Sequence, residues 1–311
     1  MNRTARGAKL PPMSFLPPTP RDRPQRRLGL TDDELATAET VYRDGILDGQ
    51  VFLIPGGGSG IGRATAYLAA RLGAEVMICG RREAMLRETA EGIAKRLGRE
   101  VGWKAMSIRE PDKVAELVDE TWARFGRIDT LVNSAGGQFI QPSMDYSPKG
   151  WLAVIDTNLN GHWWLMQACG RRWRDSGLPG NIVNIISVID RGLPSVAHTA
   201  AARGGVVTVS KSIAVEWAPY QIRVNCLAPG AILSDGIGRY SEDHERRLPN
   251  GNPMRRMGDT MDMAQAVVFL SAGSGKYVTG EVLRIDGGSQ LWSGGTRDED
   301  LPEWFRSDRT E

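Results

Sequence analysis

The stretch Val51 to Gly62, VFLIPGGGSGIG, constrains this chain more than any other. A short apolar run passes at once into a glycine-dense turn and then into a helical pattern, which is the order a phosphate-binding turn requires. A buried strand delivers the backbone to the carboxyl edge of a sheet, and glycines let it turn with no Cβ between main chain and pyrophosphate. The helix that follows, from about Ile61, points its N-terminal amides and dipole at the phosphates. Gly56, Gly60 and Gly62 give the spacing G-x-x-x-G-x-G, not the G-x-G-x-x-G of the commoner dinucleotide fingerprint. A glycine cluster alone also fits an ordinary loop, so the rest of the chain has to decide.

Strand and helix patterns alternate after the turn. Helices are expected over Arg63 to Leu72, Glu83 to Leu97, Pro111 to Phe125, Trp151 to Arg174, Thr199 to Trp217 and Thr260 to Leu270. Strands are expected over Glu75 to Cys79, Val101 to Met106, Thr130 to Asn133, Asn181 to Ser187, the run IRVNCLAP and Val282 to Ile285. That alternation predicts an α/β class, a Rossmann-type doubly wound parallel sheet in a single domain. With 311 residues and 41% hydrophobic content there is room for one large domain with appendages. The domain is expected over residues 48–290, with a substrate lid near 233–257 and a tail at 291–311.

Residues 1–47 read as an N-terminal extension. Pro11, Pro12, Pro17 and Pro18 stand beside Arg21, Arg23, Arg26 and Arg27. An arginine-rich, acid-poor start is compatible with a transit peptide, but the prolines favour an extended arm and no secretory apolar segment is present. Thr31 to Tyr42 carries a helix signal, with Thr31 as N-cap and Asp32, Asp33 and Glu34 in the first turn. A net charge of +2 argues against a nucleic-acid footprint. Cys79, Cys169 and Cys226 lack metal-ligand spacing and read as core residues in a reducing compartment. No run approaches the roughly 18 apolar residues of a membrane span, so a soluble, cytoplasmic protein is expected.

The turn resembles the cofactor turn of the short-chain dehydrogenase/reductase family, and further motifs follow in that family's order. Asn133, Ser134, Ala135 and Gly136 resemble its Asn-Asn-Ala-Gly block, and the extension GGQFIQP resembles the 2,4-dienoyl-CoA reductase branch. The resemblance implies a nicotinamide cofactor held by Gly56, Ser59, Gly60, Ile61, Gly62, Asn133, Ala135 and Gly136. Pro229, Gly230 and Ile232 match the turn beneath the nicotinamide, Ser234 the place of a pyrophosphate contact, and Ser107 a position beside the adenine. At the end of the second strand, Arg81 and Arg82 follow Gly80 with no carboxylate. Arginine there suits the 2′-phosphate of NADP, whereas an acidic residue would bind the ribose of NAD.

The same alignment places Thr199 where the family has its catalytic tyrosine and Arg203 where it has its lysine. A tyrosine phenol, ordinarily near about 10, is lowered by a neighbouring ammonium and can then exchange protons near neutrality. A threonine hydroxyl is far less acidic and arginine keeps its charge. Ser187 resembles the substrate-orienting serine, and Asn158, with Asn160 as a second candidate, the asparagine of the proton relay. Thr199, Arg203, Ser187 and Asn158 are the catalytic candidates, and Arg203 is also a cofactor-binding candidate, placed to hold the nicotinamide ribose; Asp190 and His198 lie near the crevice and read as structural.

Loss of the tyrosine favours reduction of a conjugated carbon–carbon double bond, because charge collects on a remote oxygen and hydrogen bonds can stabilise the enolate. The expected activity is therefore NADP-dependent reduction of an enoyl- or dienoyl-CoA or a cyclic enone. Two readings stay open: a carbonyl or alcohol oxidoreductase with an unusual acid, and a non-redox lyase, isomerase or cofactor-binding structural protein. The expected partners are a small-molecule substrate and a second copy of the chain, as a homodimer or homotetramer built partly on Trp163 and Trp164; no nucleic acid, membrane or metal is expected.

Overall fold

The computed structural model describes residues 29–237 and 248–292. Its centre is a sheet of seven parallel strands. In chain order they are β1 (Val51–Pro55), β2 (Glu75–Gly80), β3 (Val101–Ala105), β4 (Thr130–Asn133), β5 (Gly180–Ile185), β6 (Ile222–Pro229) and, last, β9 (Val282–Ile285). The strands lie in the order β3-β2-β1-β4-β5-β6-β9. All adjacent pairs are parallel, as in Leu53 opposite Met77 and Asn133 opposite Asn184. Strand order therefore reverses between β1 and β4, and a crevice opens there beyond the carboxyl ends. The expected doubly wound sheet is the one observed.

Every residue of β1 and β5 is buried, because helices cover both faces of a parallel sheet. Alternation along the strands sorts the core into two layers. Phe52, Ile54, Val76 and Ile78 face the layer of α2 (Gly60–Arg71), α3 (Glu83–Leu97) and α8 (Thr260–Ser271). Leu53, Met77 and Cys79 face the layer of α4 (Pro111–Phe125), α6 (Gly161–Ser176) and α7 (Ala197–Glu216). The three cysteines are free and buried. Between the layers, Asn133 Nδ2 donates to Asn184 Oδ1 at 2.8 Å, and Asn184 Nδ2 donates to Ser210 Oγ at 2.9 Å. These buried amides tie β4, β5 and α7 together through bonds that water cannot compete for.

Three expectations change. The helix over Trp151 to Arg174 is an interrupted rod: α5 (Pro148–Ile155), a π turn (Asp156–Asn160), then α6. Within it Gly161 N donates to Asp156 O, five residues back, a bulge that periodicity does not reveal. The helix expected from Thr31 to Tyr42 is shorter, α1 (Asp32–Thr37), closed by a reciprocal Thr31–Glu34 capping box. Beyond it tertiary bonds take over: Ala38 O accepts from Arg71 Nη1 at 2.5 Å and Tyr42 Oη donates to Gln265 O at 2.8 Å. Strand β5 ends at Ile185, so Ser187 stands in the loop after it.

The segment ahead of β1 is built into the domain from residue 29 onward, since Leu35 and Leu47 belong to the same buried core as α2 and β1. The proline- and arginine-rich residues 1–28 lie outside the described residues. So do Arg239, Glu242, Asp243, Glu245, Arg246 and Arg247 of the expected lid, and the tail from 293. The two ends of the expected lid are joined by a two-stranded ladder of β7 (Ile232–Leu233) and β8 (Gly258–Asp259).

Candidate active site

The crevice at the switch point is a cleft of about 1010 Å³. Its first wall is the turn between β1 and α2. Gly56 has φ +89, and a Cβ there would lie 2.6 Å from Ala135 N. Only glycine lets the β1 turn press against the exit of β4 in that conformation. Ser59, the N-cap of α2, makes no side-chain cap bond, which leaves the first amides of α2 free for a ligand. Its hydroxyl instead accepts from Arg82 Nη2 at 3.2 Å, so Ser59, Arg81 and Arg82 gather at one end of the cleft.

Gly56, Ser59, Gly60, Ile61, Arg81, Arg82, Ser107, Ala135 and Gly136 all line the cleft, and so do Pro229, Gly230, Ile232 and Ser234. Gly62 and Asn133 do not. Gly62 stands behind the wall, where a Cβ would lie 2.4 Å from Gly56 O, so it packs α2 onto the turn. Asn133 is fully buried and spent on Asn184.

The catalytic candidates Asn158, Ser187, Thr199 and Arg203 also line the cleft. Asn158 lies in the π turn, and its amide clamps one residue: Nδ2 donates to Gly137 O and Oδ1 accepts from Gly137 N, both at 3.0 Å. The clamp fixes the segment after β4 that carries Gln138, Phe139 and Ile140 into the cleft. Asn160 instead donates to Asp156 Oδ1 and does not reach the lining.

Arg203 is 7% exposed. Its Nη1 donates to Asn158 O at 3.3 Å, its Nη2 packs on Gly136, and its Nε has no partner. Among the described residues no carboxylate pairs with it. Burial accordingly pulls its pKa down to about 10, which leaves it charged at neutrality. His162 lies beside it, with Nε2 2.8 Å from Ala135 O and 3.2 Å from Arg203 Nη1. The carbonyl contact assigns the proton to Nε2, and Nδ1 is left without a partner. Burial, then the Arg203 charge, push His162 down to about 3, so it is neutral.

Thr199 is 3% exposed, with its amide donating to His198 Nδ1 at 2.7 Å. His198 is stacked on Tyr146 at 4.6 Å between centroids and meets Phe139 edge-on at 4.4 Å. It lies behind the lining, and burial lowers its pKa. Asp190 is turned away into a two-bond pair with Arg284 (2.6 and 2.9 Å) that lowers its pKa. Trp163 and Trp164 are partly buried against the α4–α6 core. Sequence reasoning missed Arg109, which lines the cleft while donating to Thr157 Oγ1 and Ala153 O, both at 2.6 Å. It also missed His162, whose one signal was a polar residue on the buried side of α6.

A doubly wound sheet with an open helix N-terminus at the switch point is the architecture of a nucleotide-binding protein. The family model described as "Enoyl-(Acyl carrier protein) reductase" matches residues 56–290. The chain belongs to the short-chain dehydrogenase/reductase family, whose members use nicotinamide cofactors. It is 35% identical over 250 residues to a probable 2,4-dienoyl-CoA reductase of Bacillus subtilis, covering 79% of this chain and 98% of that one. It is 34% identical over 268 residues to a peroxisomal 2,4-dienoyl-CoA reductase of Danio rerio, covering 85% of this chain and 89% of that one. Among solved structures, a citronellol catabolism dehydrogenase of Pseudomonas aeruginosa PAO1 matches at TM-score 0.72 and 37% identity, covering 81% and 99%. No helix of the described residues is long and apolar enough to cross a membrane.

Proposed function

We propose that the protein is an NADP-dependent reductase of a conjugated carbon–carbon double bond in an enoyl- or dienoyl-CoA or a cyclic enone. The observation that carries this reading is the buried Arg203, with no carboxylate partner among the described residues, in a cleft that Thr199 also lines. Similarity to proteins named 2,4-dienoyl-CoA reductase supports the substrate class.

The residues present fit a dinucleotide, because the uncapped start of α2 and the glycine-only contact at Gly56 leave room for a pyrophosphate against main chain. When bound, the reduced cofactor supplies a hydride. Ser59, Gly60, Ile61 and Ser234 would hold its phosphates, and Arg81 with Arg82 the 2′-phosphate. Ala135, Gly136, Pro229, Gly230 and Ile232 would flank its nicotinamide half, with Ser107 at the adenine end.

Arg203 keeps its charge through the cycle, so it stabilises negative charge that develops on a substrate oxygen and does not deliver a proton. Ser187 donates a hydrogen bond to the same oxygen, and Asn158 holds Gly137 and the apolar wall of Phe139 and Ile140 in place. Thr199 cannot act as an acid near neutrality; solvent supplies the later proton.

Paired variants test the assignment with an enoyl-CoA or enone substrate. Thr199→Ala should keep turnover within about tenfold, below the roughly 10²–10⁴-fold that general acid catalysis contributes. Ser187→Ala should cost roughly 10²–10³, the value of one donor aimed at an oxyanion. Loss of activity in Thr199→Ala with Ser187→Ala unaffected would contradict both assignments.

A further inference from the structure

The family match begins at residue 56, and the chain ahead of it has no part in the reading above. The described portion of that chain grips the phosphate-binding helix at its first turns. Arg63, in the opening of α2, is 6% exposed and donates through Nη1 to Leu30 O at 3.1 Å. Its Nη2 donates to Asp32 Oδ1, and the same oxygen accepts from Tyr67 Oη at 2.6 Å, one turn further along α2. Burial first, then the Asp32 carboxylate, raise the Tyr67 pKa above the usual phenol range, so the hydroxyl stays a donor.

The grip is anchored on two further sides. Asp33 pairs with Arg96 of α3, and Gly92 of α3 makes the space, since a Cβ there would lie 2.1 Å from Tyr67 Oη and 3.1 Å from Asp32 Oδ1. At its start the segment reaches the cleft rim: a Cβ on Gly29 would lie 3.8 Å from Ser234 Cα and Asp235 Oδ1. Gly60, the first residue of α2, borders Ser234 as well: a Cβ on Gly60 would lie 3.7 Å from Ser234 Cβ.

We propose that Asp32 is a positioning residue for the dinucleotide, fixing the N-terminal turn of α2 against the pyrophosphate through Arg63 and Tyr67. The physical need is specific. Arg63 places a cation in the opening turns of a helix, at the positive end of its dipole, where a cation is disfavoured. Asp32 neutralises it, and a buried ion pair that loses one partner leaves the other uncompensated. The amides of Gly60 and Ile61 bind an anion well only if that turn is already ordered, because ordering on binding is subtracted from affinity. The inference rests on the cofactor reading above.

The test is the Kd of NADPH for the full-length protein, measured by fluorescence titration well below each variant's unfolding midpoint. Asp32→Ala should raise Kd about tenfold, which corresponds to ~1.4 kcal/mol; Tyr67→Phe should raise it less, and Asp32→Glu should restore most of the affinity. Tyr42→Phe removes a hydrogen bond of the same segment far from the first turn of α2, and should lower stability with Kd unchanged. If Asp32→Ala does not fold, Asp32→Asn, which keeps the shape and loses the charge, carries the same expectation. A lowered midpoint with an unaltered Kd in the Asp32 variant would overturn the inference and leave the cofactor reading standing. A wild-type protein that binds no NADPH would overturn both.

Discussion

Arg203→Met should make the ligand-free protein more stable while removing its activity. Burial pulls the guanidinium down to about 10, well below its ordinary value, and at about 1.4 kcal/mol per pH unit this amounts to roughly 3 kcal/mol held against the folded state. The sign follows from linkage. A base whose folded pKa is depressed costs stability at every pH below that pKa, and the cost fades only as pH rises from about 10 toward the ordinary guanidinium value. At neutral pH the whole penalty is present. Methionine fills similar space without charge. Losing the bond to Asn158 O subtracts about 1 kcal/mol, which leaves a net gain of ~2 kcal/mol. For a chain of this size that raises the midpoint by about 3 °C. Differential scanning calorimetry at neutral pH, with and without NADPH, is the assay. Wild type should gain more from NADPH than the variant, whose turnover should fall roughly 10²–10³-fold. An unchanged or lower midpoint in ligand-free Arg203→Met would refute the uncompensated charge.

The other predictions are simpler. NADP should bind more tightly than NAD, and Arg81→Ala or Arg82→Ala should erode that preference; equal affinities in wild type would remove the argument. His162 titrates at about 3 when folded, and burial lowers His198 too. Unfolded chains take up these protons as pH falls through about 6.5, so stability should drop below that pH by up to about 1.4 kcal/mol per unit for each histidine. His162→Gln should flatten this slope in urea titrations, and an identical slope would contradict the neutral assignment. Light scattering at micromolar concentration should give a dimer or tetramer, with tryptophan-bearing α6 at the interface; a monomeric mass would exclude that assembly.

The parts legible in sequence were those set by short-range rules. The phosphate turn reads directly, because strand, glycines and helix follow one another within Val51 to Gly62. The bounds of α3, α4, β4 and β9 are also those expected from the sequence, the two strands with the help of the family resemblance. Thr199 and Arg203 could be located by counting along one helix. What stayed hidden depends on contacts between segments distant in the chain. The π turn around Asn158 makes its side chain a clamp for Gly137, which a uniform helix would not have suggested. His162 meets Arg203 only because α6 and α7 pack on the same side of β4 and β5. Asp32 looks like a first-turn acid of α1, and its carboxylate serves α2 as well because Gly92 admits Tyr67 beside it.

The most direct test of the account is the fate of the transferred hydrogen. With NADPH deuterated on the transferred position and a 2,4-dienoyl-CoA as substrate, mass spectrometry and NMR of the product would locate the label. The account predicts deuterium on a former alkene carbon remote from the thioester, with the second hydrogen drawn from solvent. Deuterium on a carbinol carbon formed from a ketone substrate, with dienoyl-CoAs and enones left untouched, would contradict it.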